Sequence, residues 1–573
     1  MYKRAQKVRL IIVCGSYLLV LLIILGRLLY VQVLNSSYYI KLAESQHQLR
    51  LTLSPQRGLI YDRNKKILAL SLSVYSVYAV PRAIENKEAV AVRLSKLLGL
   101  DYSKVLTKLK LDKSFIWIKR RISDQDAQAV KALRLTGIDL LRENKRYYPN
   151  GSLAAHIIGF AGVDEDGLEG IELQYNDFLK GRAGHRFLLR DAKQRIMPAF
   201  EYEFVPATDG YNLVLTIDEV IQHLVEEELD KAFAKSNAVG ASVVVLDPYN
   251  GEILAIVNRP GYDLNMLQEV TTDMRRNRAL CDYFEPGSTF KIITACAALE
   301  EHAVALNDVF FCENGEYRVA NHTLHDHRPH GKLTFVEVIE KSSNIGTVKI
   351  AQKLGEKVID RYVRAFDFGK KTGIDLPGET AGFLRPLNQW SKLSISAIPI
   401  GHEIGVTVLQ MAKAMAVIAN GGHLVKPHVV QKITNSNETI KVFEALPSLN
   451  IISKETAETM RQILKGVVDN GTGQHARIPG YESAGKTGTA QKIDSSGRYS
   501  RSKYIASFIG FVPVAHPRFV IAVVFDEPHP VYYGGSVCAP VFRNIAEKIL
   551  RYMDVPEQVN KQEKKIEVQE VND

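Results

Sequence analysis

At 573 residues the chain is too long for one ordinary core and calls for two or three globular units, and a composition 46% hydrophobic and 24% charged excludes a disordered chain. Lys and Arg number 73 against 63 Asp and Glu, a net charge of +10. With no basic helix interleaved with aromatics and no zinc-finger spacing, that excess argues against nucleic acid and for life beside an anionic envelope polymer or membrane.

Lys3, Arg4, Lys7 and Arg9 precede an uncharged run over residues 10–26, which continues past Arg27 through Leu28, Leu29, Tyr30 and Val31. A run of about 20 residues, rising ~1.5 Å each, crosses a hydrocarbon core about 30 Å thick. Residues 10–31 therefore predict a transmembrane helix behind a cytoplasmic tail, 1–9. Cations stay inside, so the chain beyond the helix is expected outside the cytoplasm. The length of the run, with no Ala-x-Ala-like site after it, favours a retained anchor over a cleaved signal peptide. Arg27 can snorkel to the outer interface.

Residues 32–211 read as a mixed segment. Strand-like runs at 74–80 and 187–189 alternate with amphipathic helical stretches at 87–98 and 124–135, punctuated by Pro55-Gln56-Arg57-Gly58 and Pro149-Asn150-Gly151. No nucleophile and base pair stands out there, so the expected role is spacing and interaction. A helix over 218–234 leads into two apolar strands, 241–247 and 252–258, around the turn Pro248-Tyr249-Asn250-Gly251. The same grammar returns at 504–514 and 518–526, before a closing helix over 541–552. Strands at both ends of a helical middle predict one antiparallel sheet completed late and covered by helices, an α+β domain over 212–553. Residues 554–573 are charged and predicted to be disordered. The five cysteines, Cys14, Cys281, Cys296, Cys312 and Cys538, are scattered; one Cys281–Cys312 bridge stays open.

The chemistry concentrates in Phe284-Glu285-Pro286-Gly287-Ser288-Thr289-Phe290-Lys291. Pro-Gly before an apolar run marks a helix start, with Ser288 in its first turn and Lys291 on the same face. Serine is a poor nucleophile until a neighbouring neutral amine takes its proton, and burial beside a helix N-terminus lowers a lysine enough for that. The same end offers N–H groups to a developing oxyanion. Ser-x-x-Lys alone is a weak signal. Two further motifs follow in order: Ser342-Ser343-Asn344 at a helix start, and Lys486-Thr487-Gly488-Thr489 in an extended segment whose glycine is expected to let a substrate backbone approach.

Ser288/Lys291, Ser342/Asn344 and Lys486/Thr487/Gly488 together resemble the three signatures of penicillin-recognising serine acyltransferases. Arg57-Gly58 with Tyr61-Asp62-Arg63-Asn64, then Arg146-Tyr147-Tyr148-Pro149, Gly167-Leu168-Glu169-Gly170-Ile171-Glu172 and Gly401-His402-Glu403-Ile404-Gly405-Val406-Thr407 look like class B, monofunctional penicillin-binding proteins. The likeness implies a non-catalytic, dimerisation-type pedestal over 32–211 and a transpeptidase over 212–553. It implies that Ser288 attacks the penultimate D-alanine carbonyl of a D-Ala-D-Ala stem peptide. Lys291 would take its proton, Ser342 would relay one to the leaving amine, and Asn344 would hold the donor amide. Lys486 with Thr487 and Thr489 would grip the terminal carboxylate, and the N–H groups of Ser288 and Thr489 would form the oxyanion site. β-Lactams would acylate the same Ser288. The wording around 401–407 and the modest pedestal look septal rather than elongation-type, and the lack of a C-terminal repeat domain suggests a periplasm. The resemblance also implies a membrane glycan polymerase and other division proteins as partners, with no cofactor.

Rival readings of single motifs are weaker. Lys371-Thr372-Gly373 lies in a turn-rich stretch, so Lys486 is preferred. His322, His325, His327 and His330 lack a Cys or Glu to complete a metal set and read as a polar loop. Gly421-Gly422 and Gly534-Gly535 are turns rather than phosphate cradles. A class A β-lactamase needs a glutamate four residues before an asparagine; Asn388 has Leu384 there. A β-lactam sensor would carry a large cytoplasmic part, whereas about nine residues precede this anchor.

Overall fold

The computed structural model describes residues 2–190, 196–197, 204–319, 322–435, 438–443, 449–494 and 496–557. From residue 558 onward, the tail expected to be disordered lies outside the described residues. Contacts divide the chain into two units, residues 1–56 with 181–210, and residues 57–180 with 211–573.

In the first unit the apolar run forms helix Tyr2–Leu29, which passes into the wider turn Tyr30–Leu34. This 33-residue span has a mean hydropathy of 2.7 over its most apolar stretch and no buried residue in that stretch. It is long and apolar enough to cross a membrane. The Arg27 guanidinium sits 5.3 Å from the Tyr30 ring centre, a posture suited to an interface. Helix Ser36–His47 follows. Strand Gln48–Leu53 then pairs antiparallel with Gly184–Arg190, which contains the strand expected at 187–189.

The second unit is built on a five-stranded antiparallel sheet, in the order Ile253–Arg259, Gly240–Leu246, Phe519–Asp526, Tyr499–Val512 and Ala484–Ile493. Strands Gly240–Leu246 and Phe519–Asp526 are apolar at most positions on both faces because helices cover both. Val243 and Val245 share a core with Phe508, Phe542 and Ile545, whereas Val244 and Leu246 share one with Ile292 and Met415, as a period of two requires. Helices Glu219–Ser236 and Gly534–Tyr552 thus lie on one face, Lys291–Glu300 and Val408–Ala419 on the other. The last helix starts seven residues before the expected 541 and carries Pro540 inside it.

A second sheet has seven strands. Ile60–Tyr61, Ile67–Ala79, Ile116–Ile122 and Ile138–Tyr147 join Asn212–Leu215, Val430–Thr434 and Thr439–Val442. Ile60–Tyr61 runs parallel to Asn212–Leu215, so segments 150 residues apart share one ladder. Helix Lys87–Leu98, one of three on this sheet, shows how local the signals are. The Asn86 side chain accepts from Ala89 N, and Gly99 closes the helix at φ 63°, a conformation glycine adopts without strain.

The early motifs meet in one buried cluster. Glu172 Oε2 accepts from Arg57 Nε and Glu172 Oε1 from Arg146 Nε, each at 2.6 Å, and all three side chains are essentially without solvent exposure. Arg57 also donates to the Glu172 carbonyl at 2.8 Å. One carboxylate pairs with both guanidiniums, so its loss strands both. Glu172→Ala is expected to destabilise this unit by about 3–5 kcal/mol, read as a lowered melting temperature. A melt within 1 kcal/mol of the wild type, on the scale of about 0–1 kcal/mol for exposed pairs, would show that the cluster does not hold the fold.

Candidate active site

Residues 284–291 do not open directly into an α-helix. Gly287–Phe290 forms a tight 3-10 turn, and the α-helix begins at Lys291. Gly287 adopts φ 55°, with room for a Cβ limited by Ala490 and the Thr489 carbonyl at 3.3 Å. Its N–H donates to the Gly401 carbonyl at 3.1 Å, and Phe284 exchanges two backbone bonds of 2.9 Å with Val406. The turn carrying Ser288 is therefore tied to the segment 401–406. Ser288 is half-buried.

Lys291 is fully buried. Its Nζ donates to the Ser342 carbonyl at 2.6 Å, to Asn344 Oδ1 at 2.8 Å and to Ser342 Oγ at 3.3 Å. Ser342 lies between helices Phe335–Glu340 and Asn344–Leu354 at φ 59°, a left-handed conformation that costs a non-glycine residue energy. In that posture both its carbonyl and its hydroxyl meet the amine. Lys486, equally buried, donates from Nζ to the same Ser342 Oγ at 2.9 Å. One hydroxyl thus bridges two buried amines.

Burial pushes Lys291 down to about 7, opposed by the charge of Asp326. Lys486 is pushed well below the usual lysine range, first by burial and then by the charge of Lys291. Two like charges on one dry hydroxyl are costly, so the pair sheds protons as a unit. A neutral Lys291 has a lone pair to offer a hydroxyl.

Strand Ala484–Ile493 is the sheet's edge, with Lys486 opposite Ile509 and Thr489 opposite Ala506. Thr487 Oγ1 lies 2.6 Å from Thr472 Oγ1, and Thr489 Oγ1 accepts from Gly534 N at 3.1 Å. A Cβ at Gly488 would stand 2.4 Å from Ser507 Oγ on the neighbouring strand and 2.9 Å from the Pro286 carbonyl and from Thr289 Cγ2, so the missing side chain leaves room for both that strand and the Ser288 turn. The other Lys-Thr-Gly binds no such partner: Thr372 N and Gly373 N donate to the Glu379 carboxylate at 2.7 and 3.2 Å.

Motif spacing does not reveal Asp326. Its carboxylate accepts from Ser343 Oγ at 2.7 Å, Asn344 N at 2.5 Å and Ile345 N at 3.1 Å, an anion at a helix N-terminus where the dipole favours it. Asn344 Nδ2 donates to the neighbouring His325 carbonyl at 2.8 Å, leaving Oδ1 for Lys291. Asp326 sits among the histidines expected in a polar loop, and nothing local marks it. Two of those histidines fall on a strand, His322–His325, paired with Glu316–Val319, and the His327 ring lies 5.0 Å from Tyr533. All five cysteines are free, Cys281 and Cys312 included. Asp326→Ala leaves buried donors unpaired and removes the charge that raises Lys291. Its acylation by penicillin is expected to fall about tenfold or more, since each such group costs about 1–3 kcal/mol, with the ascending limb of the pH profile moved to lower pH. An unchanged rate and profile would make Asp326 a cap and nothing more.

Fold and site together define a serine-type acyltransferase of the penicillin-recognising kind. The model for the penicillin-binding protein transpeptidase domain matches residues 241–547, and that for the penicillin-binding protein dimerisation domain matches residues 52–215. Stage V sporulation protein D of Bacillus subtilis is 37% identical over 97% of this chain and 88% of its own length. The peptidoglycan D,D-transpeptidase FtsI of Escherichia coli K12 is 33% identical over 96% and 92%. Among solved structures, penicillin-binding protein 3 of Mycobacterium tuberculosis in complex with aztreonam superposes with a TM-score of 0.71 at 30% identity, covering 88% of this chain and 98% of that one. The chain belongs to the class B penicillin-binding proteins and is a peptidoglycan D,D-transpeptidase of the serine type.

Proposed function

We propose that Ser288 forms the acyl-enzyme during cross-linking of stem peptides at the division septum. Neutral Lys291 takes the Ser288 proton as Oγ bonds to the penultimate D-alanine carbonyl carbon. The oxyanion faces the N–H groups of Ser288 and Thr489. As the tetrahedral centre collapses, the bond to the last D-alanine nitrogen breaks, and Ser342 passes the proton to that amine. Lys486, Thr487 and Thr489 hold the terminal carboxylate, and Asn344 holds the donor amide. An amine from a neighbouring stem peptide then attacks the ester carbonyl, forming the amide and returning the proton to Ser288. A β-lactam enters the same first step and stays. The observation that carries this reading is the Ser342 hydroxyl held between Lys291 and Lys486 beside the Ser288 turn.

Lys3, Arg4, Lys7 and Arg9, in the first turns of helix Tyr2–Leu29, support a cytoplasmic N-terminus and an extracytoplasmic, periplasmic catalytic unit. Resemblance supports a membrane glycan polymerase and division proteins as partners, and the FtsI relative favours the septum. Depletion is expected to give filaments; round cells would instead mark an elongation enzyme. The relative named for stage V of sporulation favours a second reading, a stage-specific transpeptidase, in which depletion leaves growing cells unchanged.

A further inference from the structure

Strands Ile67–Ala79, Ile116–Ile122 and Ile138–Tyr147 are covered on one face by helices Lys87–Leu98, Tyr102–Lys110 and Asp124–Ala132, with Val77, Ala79, Ile116 and Ile118 in the shared core. The alternate residues point the other way. There Tyr78 stands in register with Trp117 on one side and Asp139 on the other. The Tyr78 and Phe115 rings stack 5.0 Å apart, and Trp117 meets Phe115 edge-on at 4.9 Å. Phe115 and Leu141 are each 42% exposed. Three rings and a leucine on one open sheet face form the kind of apolar strip that marks a contact surface.

The charge around that strip has one sign. Residues 67–147 carry 16 Lys and Arg against 8 Asp and Glu, so this lobe holds eight of the chain's ten excess cations, and its field is positive where the rest of the chain is nearly balanced. Some of these cations lie beside the rings. The Arg120 guanidinium sits 5.1 Å from the Trp117 ring centre, a cation over an aromatic face, with Glu143 and Asp164 bound to it. Lys113, two residues before Phe115, is exposed, and so is Lys145, which shares the Leu141 face. An occupant has to offer flat C–H surfaces to the rings and negative charge to their surroundings. A strand of the wall polymer does both, because each sugar ring has an apolar C–H face and each uncross-linked stem peptide ends in carboxylates. A polyanion without sugars meets the charge alone.

We propose that the Tyr78, Phe115 and Trp117 face is a glycan-holding site, which takes uncross-linked peptidoglycan strands by their sugar rings and gathers their peptide carboxylates into the basic field of the lobe. It goes beyond the septal reading and requires of the enzyme only that peptidoglycan is its substrate. A strand held there keeps its other stem peptides near the enzyme, and tethering of this kind raises their local concentration.

The chain has two tryptophans, so Trp390→Phe leaves Trp117 to report its own surroundings. This full-length parent, in detergent and with Ser288 saturated by benzylpenicillin, is titrated with soluble uncross-linked peptidoglycan strands that carry tetrapeptides. The Trp117 emission is expected to shift and to saturate. Stripping the peptides with an amidase is expected to weaken binding about tenfold or more at low salt, as is Lys113→Glu combined with Lys145→Glu. Both differences should shrink at 1 M salt, where a charge reaches only about 3 Å. Phe115→Ala is expected to weaken binding about tenfold at either salt, as loss of an aromatic anchor does. Poly-L-glutamate, which has charge and no sugar, should leave the emission unchanged. A melt like the parent's and full acylation by benzylpenicillin report that each variant is folded, and the poly-L-glutamate comparison decides without any variant. No emission change with the strands, an equal change with poly-L-glutamate, or unaltered affinity in the folded variants would overturn the site. Failure of the Ser288 assignment is distinguishable, because it appears as a parent that benzylpenicillin does not acylate.

Discussion

Ser288→Ala is expected to take up no fluorescent penicillin while melting as the wild type does. The hydroxyl is half-buried on a 3-10 turn, and its removal leaves the Lys291, Ser342 and Lys486 contacts intact. The loss would be of chemistry alone, because the attacking oxygen is removed while the surrounding contacts stay. Gel fluorescence checks the label, and a thermal melt checks the fold. Labelling of the variant at the wild-type rate would remove Ser288 from the nucleophile's role.

Lys291→Met should cost nearly as much. The replacement keeps the buried volume and removes the amine, and positioned proton transfer contributes about 10²–10⁴-fold. In the proposed mechanism the base is the neutral amine, and burial holds Lys291 down to about 7. Acylation should therefore rise as pH climbs through about 7 and then level, because protons leave the amine on the way up. Stability carries the same sign. The folded lysine has the depressed value and the unfolded one does not, so the unfolded chain binds more protons between about 7 and the usual lysine range, and stability rises with pH across that window. Rates of penicillin acylation measured through neutrality test the first statement. An ascending limb retained in Lys291→Met would assign the base elsewhere.

What could be seen beforehand was whatever the chain writes locally. The anchor is a hydropathy run, helix Lys87–Leu98 is bracketed by Asn86 and Gly99, and strands Gly240–Leu246 and Ile253–Arg259 flank the turn Pro248-Tyr249-Asn250-Gly251. Ser288, Lys291, Ser342, Asn344 and Lys486 are legible as short motifs because each has a fixed local spacing. The turn-rich stretch around Lys371 points to Lys486 instead, and Lys486 is the one that reaches Ser342. Long-range partners leave no such mark. Asp326 binds the start of helix Asn344–Leu354 from 17 residues upstream of Ser343, and Glu172 meets Arg57 across 115 residues. The parallel pairing of Ile60–Tyr61 with Asn212–Leu215 is likewise beyond periodicity, which shows which face is apolar and not what covers it.

Gly488 shows a subtler limit. A glycine in an extended motif signals close approach of some backbone, and residue types do not say whose. Here an added Cβ would meet Ser507 Oγ first and the Pro286 carbonyl next, so the glycine lets the edge strand lie close to its neighbour and to the Ser288 turn. Ser342 is similar: its hydroxyl is foreseeable, whereas its left-handed backbone, which turns carbonyl and hydroxyl toward Lys291 together, is not.

The proposed cycle stands on one covalent bond, the ester at Ser288, with the buried amine of Lys291 as the base. Peptide mapping by mass spectrometry after exposure to benzylpenicillin locates that bond. One intact penicillin on the peptide that contains Ser288, and none on the same peptide from Lys291→Met in the same time, is the predicted result. An adduct on any other residue, or none on the wild type, would contradict it.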